Sequence, residues 1–296
     1  MLSWWSPRSP PRGWTLVISV GSGKGGTGKT TLAVNLAHLA SIEDEIFFLD
    51  CDAEDPDSHF YLKPEWESET DVETPIPRID KERCDYCGKC SEICPRNALA
   101  VLRDDVLVFP ELCYGCGGCA LSCPMRCVTF ESKKIGSVKQ GRSGSIRFYQ
   151  GLLEVGEPSP VRVIKNVKEN IQENSRVIID CPPGTGCALV ESVRGSDYCL
   201  LVTEPSPFRK HDLELAHQVC VKLEIPHGVV TNRSNGHDEI IDDFCSASSL
   251  EILGRIPFSR EVAQRISRGE LLVDDEHLKR HTEHIFRTVQ RRCSFN

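Results

Sequence analysis

The cysteines are the residues whose spacing in this sequence most directly suggests chemistry. The chain has 16 cysteines, and nine of them lie between Cys84 and Cys127, most at spacings of three. An extracellular disulfide-bonded protein spreads its cysteines along the chain, whereas clustered cysteines in an intracellular protein are typical of metal binding. The sequence therefore predicts a metal-binding segment.

This segment contains one cysteine pattern twice, with the second copy offset by 29 residues from the first. Each copy reads Cys-x₂-Cys-x₂-Cys-x₃-Cys-Pro, which is the run that binds [4Fe–4S] clusters in bacterial ferredoxins. In two-cluster ferredoxins the fourth cysteine of each run ligates the other cluster. We therefore predict two clusters, one held by Cys84, Cys87, Cys90 and Cys123, and the other by Cys113, Cys116, Cys119 and Cys94.

Zinc and disulfides are the alternatives for these cysteines. Zinc also binds Cys-x₂-Cys pairs, but it requires neither a third cysteine at the same spacing nor a following Cys-Pro. Two complete runs favour the clusters. Cys127 lies just beyond the second run and is interpreted as a buried thiol.

A second chemical motif lies near the N-terminus. The segment from Gly23 to Thr30 matches G-x-x-x-x-G-K-[ST] and stands between an apolar run and a helical pattern. In such a loop the glycines let backbone N–H groups face phosphate oxygens, the lysine bridges the terminal phosphates and the hydroxyl ligates Mg²⁺. A glycine-rich turn without function is the alternative. The predicted nucleotide-binding residues are Gly23, Gly25, Gly26, Thr27, Gly28, Lys29, Thr30 and Thr31, with Thr30 on Mg²⁺.

The elements around these motifs indicate an α/β fold. Short apolar runs predict buried strands, and amphipathic stretches between them predict helices, which together favour a mostly parallel sheet flanked by helices. Predicted strands span residues 15–20, 45–49, 176–179, 198–202, 228–230 and, more weakly, 251–257. Predicted helices span residues 30–39, 212–223, 260–267 and 276–291, the last packing on the core rather than lying on a membrane surface.

The cysteine-rich segment interrupts this alternation, as a small inserted domain would. We expect an N-terminal extension at residues 1–14, a first part of the nucleotide-binding domain at 15–74 and a second part at 133–296. Residues 75–132 are expected to form the inserted α+β ferredoxin-like domain with both clusters.

The form Lys-Gly-Gly-x-Gly-Lys-Thr resembles the deviant Walker A loop of MinD/ParA/Mrp-type P-loop ATPases. With the cysteine repeat, the chain resembles the (4Fe–4S)-binding members of that superfamily, and the resemblance covers nearly all of it. It implies an ATP-dependent homodimer in which Lys24 contacts phosphate across the interface. It also implies that Asp52 orients or activates the attacking water and that Asp180, at the end of a Walker B-like strand, supports Mg²⁺.

The same resemblance assigns roles near two later strands. Pro182 to Gly186 resembles the switch that senses the terminal phosphate, with the Gly184 amide as donor, and Asn232 resembles the residue that reads adenine. In the related nitrogenase iron protein a cysteine near the position of Cys187 helps to bridge a cluster between subunits. For Cys187 a small buried thiol is the favoured interpretation.

Charge and composition exclude some function classes. The chain of 296 residues carries 35 Lys+Arg against 43 Asp+Glu, a formal net charge of −8, which disfavours a generic nucleic-acid binder. No apolar run reaches the length of a membrane span, and the N-terminus lacks the apolar core of a signal peptide. The expected location is therefore cytoplasmic, without nucleic acid or a membrane span.

Three functional hypotheses follow. The first is an ATPase, with slow and partner-stimulated hydrolysis, that couples nucleotide state to electron transfer or metallocofactor assembly on a partner protein. The second is a MinD/ParA-like positioning protein with structural clusters, and the third is a ferredoxin-type carrier with a vestigial ATPase. The sequence lacks the late Cys-x-x-Cys of cluster-scaffold relatives, because Cys220 and Cys245 are too far apart, and this weakens a simple scaffold role.

Overall fold

The computed structural model describes residues 15–293, apart from the side chain of residue 277. The expected N-terminal extension, residues 1–14, lies outside the described residues. The strands are β1 (Leu16–Gly21), β2 (Ile46–Asp50), β3 (Glu65–Ile79), β4 (Leu99–Val101), β5 (Val106–Val108), β6 (Val128–Ser143), β7 (Ile146–Leu153), β8 (Arg176–Asp180), β9 (Tyr198–Thr203), β10 (His227–Ser234) and β11 (Ile252–Pro257).

The helices fill the connections between these strands. They are α1 (Lys29–Ser41), α2 (His59–Leu62), α3 (Lys89–Glu92), α4 (Gly118–Leu121), α5 (Val161–Lys168), α6 (Cys187–Val193), α7 (Pro207–Lys222), α8 (Glu239–Ala247), α9 (Arg260–Ile266) and α10 (Glu276–Cys293). Short 3₁₀ turns lie at Pro110–Leu112 and Leu272–Asp274.

Nine strands form one sheet in the order β11-β10-β9-β1-β8-β2-β7-β6-β3. The strands from β11 to β7 pair in parallel, which confirms the predicted α/β class, and all six predicted strands are present. Their apolar, β-branched sequences are buried on both faces, as parallel strands covered by helices must be. Two apolar cores result, one on each face of the sheet.

The remaining strands extend this sheet in an antiparallel manner. β6 pairs with β7, and β3 pairs with β6 along nearly its whole length to form a two-stranded ribbon. The ribbon begins at the main sheet and leads into the cysteine-rich segment. The division of the chain at residues 75 and 132 remains a proposal, since β3 and β6 run through both positions.

The cysteine-rich segment at the end of the ribbon contains the short helices α3 and α4 and the two-stranded sheet β4–β5. Its small core contains Leu99, Val106 and Cys119, with Cys84, Cys90 and Cys94 packed against it. Cysteines therefore supply much of the interior of this unit.

The C-terminal helix α10 buries Leu278, Ile285 and Val289 in the core and contacts β11. This placement matches the core-packing helix that the sequence predicted. Within the described residues no helix is both long and apolar enough to cross a membrane.

Candidate functional site

The loop between β1 and α1 lies at the carboxyl end of the parallel strands, where open α/β sheets bind ligands. Gly28 precedes α1 with φ +87°, and a Cβ there would lie 2.2 Å from Asn232 Nδ2. A Cβ on Gly23 would lie 2.0 Å from the Asp212 carbonyl oxygen, so this position also requires glycine. The first turn of α1 contains no acidic residue, which leaves its N–H groups and positive dipole end available to an anion.

Lys29, the first residue of α1, is buried between two carboxylates. Its Nζ lies 3.1 Å from Asp180 Oδ1 and 3.3 Å from Asp52 Oδ2, and it also donates to Thr30 Oγ1 at 3.3 Å. Asp180 ends β8 and is fully buried, and Asp52 follows β2 on the neighbouring strand. The structure therefore brings together four of the residues singled out in the sequence.

Asp50 and Ser58 hold these carboxylates in place. Asp50 ends β2 opposite Asp180 and accepts backbone N–H groups from Asp52 at 3.2 Å and from Ser58 at 3.3 Å. The Ser58 hydroxyl donates to Asp180 Oδ2 at 3.2 Å. Asp50 therefore fixes the turn that follows β2, and Ser58 links this turn to β8.

Burial and mutual repulsion shift the pKa values of this group. Burial raises the pKa of Asp52 to about 6; Lys29 opposes the shift, and Asp180 adds to it. Burial and then Asp180 raise the pKa of Asp50 well above its ordinary value. Burial alone would lower the pKa of Lys29, but Asp180 and Asp52 outweigh it and raise that pKa above 10.5. Lys29 is therefore a permanent cation, whereas Asp52 titrates near neutral pH.

Two polar atoms beside the loop suit a further polar ligand. Thr27 Oγ1 and Asp57 Oδ1 are buried and have no hydrogen-bond partner in the part of the chain that the structure describes. Buried polar atoms in native proteins are nearly always paired, so unpaired ones call for an explanation. The Thr27 hydroxyl can donate to a nucleotide phosphate, and the Asp57 carboxylate suits the Mg²⁺ that would accompany the phosphate beside Thr30.

No motif in the sequence assigns a role to Asp57, Ser58 or Arg209, which also lie at this site. Burial raises the pKa of Asp57, Asp180 adds to the shift, and the nearby Thr30 hydroxyl opposes it. Arg209, in the first turn of α7, places Nη2 3.8 Å from where a Cβ on Gly26 would lie, and its buried Nη1 has no hydrogen-bond partner among residues 15–293. Asp57 and Ser58 could have been suspected because they follow a strand end, whereas Arg209 has no local sequence signal.

The predicted switch approaches the loop from the other side. Gly184 adopts φ +92° in the turn between β8 and α6, and Pro183 Cβ lies 3.8 Å from where a Cβ on Gly25 would be. Lys24, on the same rim, is exposed. Cys187, the first residue of α6, is also exposed, so its interpretation as a buried thiol is wrong.

A cavity of about 150 Å³ lies beside the loop and is lined by Gly28, Thr31, Asn232, Phe258 and Val262, among others. Its size and its position beside the loop suit a nucleoside base. Asn232 lines this cavity, and its Nδ2 donates to the Thr27 carbonyl at 2.8 Å while its Oδ1 accepts the Arg233 N–H. In this structure the Asn232 amide therefore also ties β10 to the phosphate loop.

The first predicted cluster set converges on one pocket. Cys84, Cys87, Cys90 and Cys123 line it together with Cys127, and Ile79, Val101 and Val128 form its apolar walls. Burial, followed by the neighbouring Cys84 and Cys123, raises the pKa of the Cys90 thiol. The fourth cysteine of the second run therefore lies with the first three cysteines of the first run.

The second predicted set lies toward the main sheet. Burial, followed by the neighbouring Cys113 and Cys116, raises the pKa of the Cys119 thiol, and Cys94 packs on the core that contains Cys119. Cys94 Sγ accepts the Ala98 N–H at 3.2 Å and Cys113 Sγ accepts the Gly115 N–H at 3.4 Å. Backbone N–H groups aimed at sulfur suit thiolate ligands, so the residues present fit iron–sulfur clusters.

Among residues 15–293, no three His, Cys, Asp or Glu side chains converge on a position for a single metal ion. Each cysteine of a [4Fe–4S] site binds a different iron atom, so its four thiols surround a volume rather than a point. The four thiols of the first set line one pocket in this way.

Residues 18–273 match the family model described as the CobQ/CobB/MinD/ParA nucleotide binding domain. The uncharacterized protein MJ0579 of Methanocaldococcus jannaschii is 27% identical over 275 residues, which is 91% of this chain and 96% of its own length. The uncharacterized ferredoxin MJ0722 of the same organism is 30% identical over 60 residues, 19% of this chain and 78% of its own length.

Among solved structures, the septum site-determining protein MinD of Pyrococcus horikoshii, in complex with Mg-ADP, superposes with a TM-score of 0.57 and 17% identity. The match covers 93% of this chain and 96% of that one. At this identity the likeness shows the fold alone, which is that of an α/β P-loop NTPase.

Proposed function

The chain belongs to the CobQ/CobB/MinD/ParA nucleotide-binding domain family, and from this premise we propose that it binds and hydrolyses ATP and uses the nucleotide state to control two [4Fe–4S] clusters. The output we favour is electron transfer to a partner protein. Bound clusters would supply one-electron chemistry. Residues of this chain would bind the nucleotide, activate the attacking water and couple the nucleotide state to the clusters.

The nucleotide half of the proposal rests on the buried ion cluster. Lys29 and Thr30 would meet the terminal phosphates and Mg²⁺, Asp180 would support the metal shell, and Asp52 would orient the attacking water. Asp52 has a pKa near 6 and therefore carries a charge above this pH, as an acceptor of a proton from water must. The cavity beside Asn232 would take the adenine.

The observation that carries the coupling is the position of α5 and α6 between the two sites. α6 begins at Cys187, directly after the switch that contains Gly184, and packs on α5. The Lys168 ammonium on α5 donates to the carbonyl oxygens of Glu191, Ser192 and Arg194 at 2.7, 3.0 and 2.6 Å. This ties the end of α6 to α5.

The other side of α5 faces the second cluster set. A cleft of about 310 Å³ is lined by Arg162 and Lys165 of α5 and by Cys113 and Tyr114. The cysteine segment also contacts the ribbon closely, because a Cβ on Gly115 would lie 2.5 Å from Thr74 Oγ1. A movement of the switch would therefore reach the second set through α6, α5 and the ribbon, because α5 packs on β3 and β6, and these elements form a contiguous physical connection.

We further propose that ATP closes a homodimer over the loop. Exposed Lys24 would reach the nucleotide of the other subunit. Phe208, 84% exposed at the start of α7, stands beside the loop, since Asp212 of the same helix contacts Gly23. An exposed large apolar side chain of this kind is typical of an interaction surface.

The test is anoxic redox titration of the reconstituted protein, followed by electron paramagnetic resonance with and without a non-hydrolysable ATP analogue. We expect two reduced-cluster signals, at least one of whose potentials shifts when the analogue binds. Signals that are present but indifferent to the analogue would instead support a carrier with a vestigial ATPase. A protein that binds ATP but incorporates no iron would overturn the redox half of the proposal.

A further inference from the structure

The first cluster pocket contains one more cysteine than a [4Fe–4S] cluster uses. Five cysteines line it: Cys84, Cys87, Cys90, Cys123 and Cys127. The Sγ atoms of Cys123 and Cys127 are 3.4 Å apart, and Cys84 lines the same pocket. Cys127 is 2% exposed, so its sulfur lies among the ligands and not on the surface.

The backbone holds Cys127 in this position. Its carbonyl accepts the Asp80 N–H at 2.8 Å, where β3 ends, and β6 begins at the next residue, Val128. The thiol is therefore held beside Cys123 by the base of the ribbon, and it is part of the pocket wall together with Ile79 and Val128.

The internal repeat provides a comparison within the same chain. Cys94 and Cys123 occupy equivalent positions in the two copies, 29 residues apart. By the same offset, Ala98 is the equivalent of Cys127. Ala98 is 1% exposed, and its N–H donates to Cys94 Sγ at 3.2 Å. The two sites thus share a backbone arrangement, but only the first has a thiol at this position.

We propose that Cys127 is a reserve ligand of the first cluster, able to replace Cys123 on the same iron. In the exchange the Fe–S bond to Cys123 breaks, an Fe–S bond to Cys127 forms, and one proton passes from the Cys127 thiol to the Cys123 sulfur. No electrons are gained or lost. The inference rests on the proposed function, since it requires that two clusters are bound.

The experiment uses the full chain, reconstituted without oxygen with ferrous iron and sulfide, and measures iron, acid-labile sulfide and the resonance spectrum of the reduced protein. The wild type should hold about eight irons in two tetranuclear clusters. Cys123→Ala should keep both clusters, whereas Cys94→Ala, the matched variant at the other site, should lose one and hold about four irons. Cys123→Ala/Cys127→Ala should also fall to about four, and Cys127→Ala alone should keep about eight.

A gain-of-ligand variant guards against loss through misfolding. Cys94→Ala/Ala98→Cys restores a fourth thiol to the second site, at the position equivalent to Cys127, and should regain the cluster that Cys94→Ala loses. Loss of a cluster in Cys123→Ala, or its conversion to a trinuclear cluster, would overturn the inference while leaving two clusters in the wild type and the proposed function intact. A wild type that holds no iron would overturn the proposed function itself.

Discussion

The two lysines of the phosphate loop lie in opposite environments, and substituting each by alanine separates stability from catalysis. Lys24 is exposed, whereas Lys29 is 6% exposed and is the cation between Asp52 and Asp180. Lys29→Ala leaves these carboxylates and Asp50 buried without a cation. Removing one partner of a buried pair costs about 3–5 kcal/mol of the free energy of unfolding.

This cost should depend on pH in a defined direction. Loss of Lys29 raises the pKa of Asp52 further above its wild-type value of about 6. A carboxyl whose folded-state pKa is raised destabilises the protein increasingly as pH rises from its unfolded value through its folded value. The loss of unfolding free energy in Lys29→Ala should thus be largest at about pH 8. Near pH 5 this loss should be smaller by about 1.4 kcal/mol for each unit by which the substitution raises the pKa of Asp52.

The assay is thermal unfolding of anoxic, iron-loaded protein at both pH values. With about 2 °C per kcal/mol for a chain of this size, Lys29→Ala should lower the melting temperature by about 6–10 °C at the higher pH. Lys24→Ala should stay within about 1 °C, as expected of a surface substitution that costs less than about 0.5 kcal/mol. Both variants should lose ATP hydrolysis. Equal melting temperatures for Lys29→Ala and the wild type at high pH would refute this reasoning.

Three more expectations follow from the same contacts. Asp52→Asn should abolish hydrolysis, and wild-type kcat/KM should fall below about pH 6 as Asp52 becomes protonated, so a profile flat down to pH 5 would count against its role. Lys168→Met should lower the free energy of unfolding by about 1–3 kcal/mol, because the carbonyls at the end of α6 lose their hydrogen-bond donor. It should leave the KM for ATP unchanged, and in the redox titration the ATP analogue should no longer shift the cluster potential. Phe258→Ala should weaken equilibrium binding of ATP about tenfold, because stacking of the ring on a base contributes about 1–2 kcal/mol. The melting temperature should not fall, and an unchanged affinity would place the base elsewhere.

The parallel half of the fold could be predicted because its signals are local. Buried strands such as the one that contains Phe47 to Leu49 are continuous apolar runs. The glycine-rich motif marks the loop between β1 and α1 and the start of the helix. The grouping of Cys123 with the first cysteine run could also be expected, because both runs match those of two-cluster ferredoxins, in which the fourth cysteine of each run ligates the other cluster.

The antiparallel extension of the sheet could not be predicted in this way. The first seven residues of β3 are all exposed and include three Glu, so apolar alternation is confined to its second half. Its pairing with β6 joins residues far apart in sequence through contacts such as that of Lys134 with Asp71. Such pairing depends on which distant strand is available, and a local window does not contain this information.

The chemistries for which this chain is equipped are legible in its residue order, because the loop and the cysteine runs place their groups within a few residues of one another. How these groups are joined depends on the folded chain. It placed Ser58 between Asp50 and Asp180, Lys168 against the end of α6, and the Cys127 sulfur beside that of Cys123. The partners of Ser58 and Lys168 come from separate elements, and the contact of Cys127 depends on the direction of its side chain within the pocket. Residue order specifies none of these contacts, because they form only when the folded chain packs.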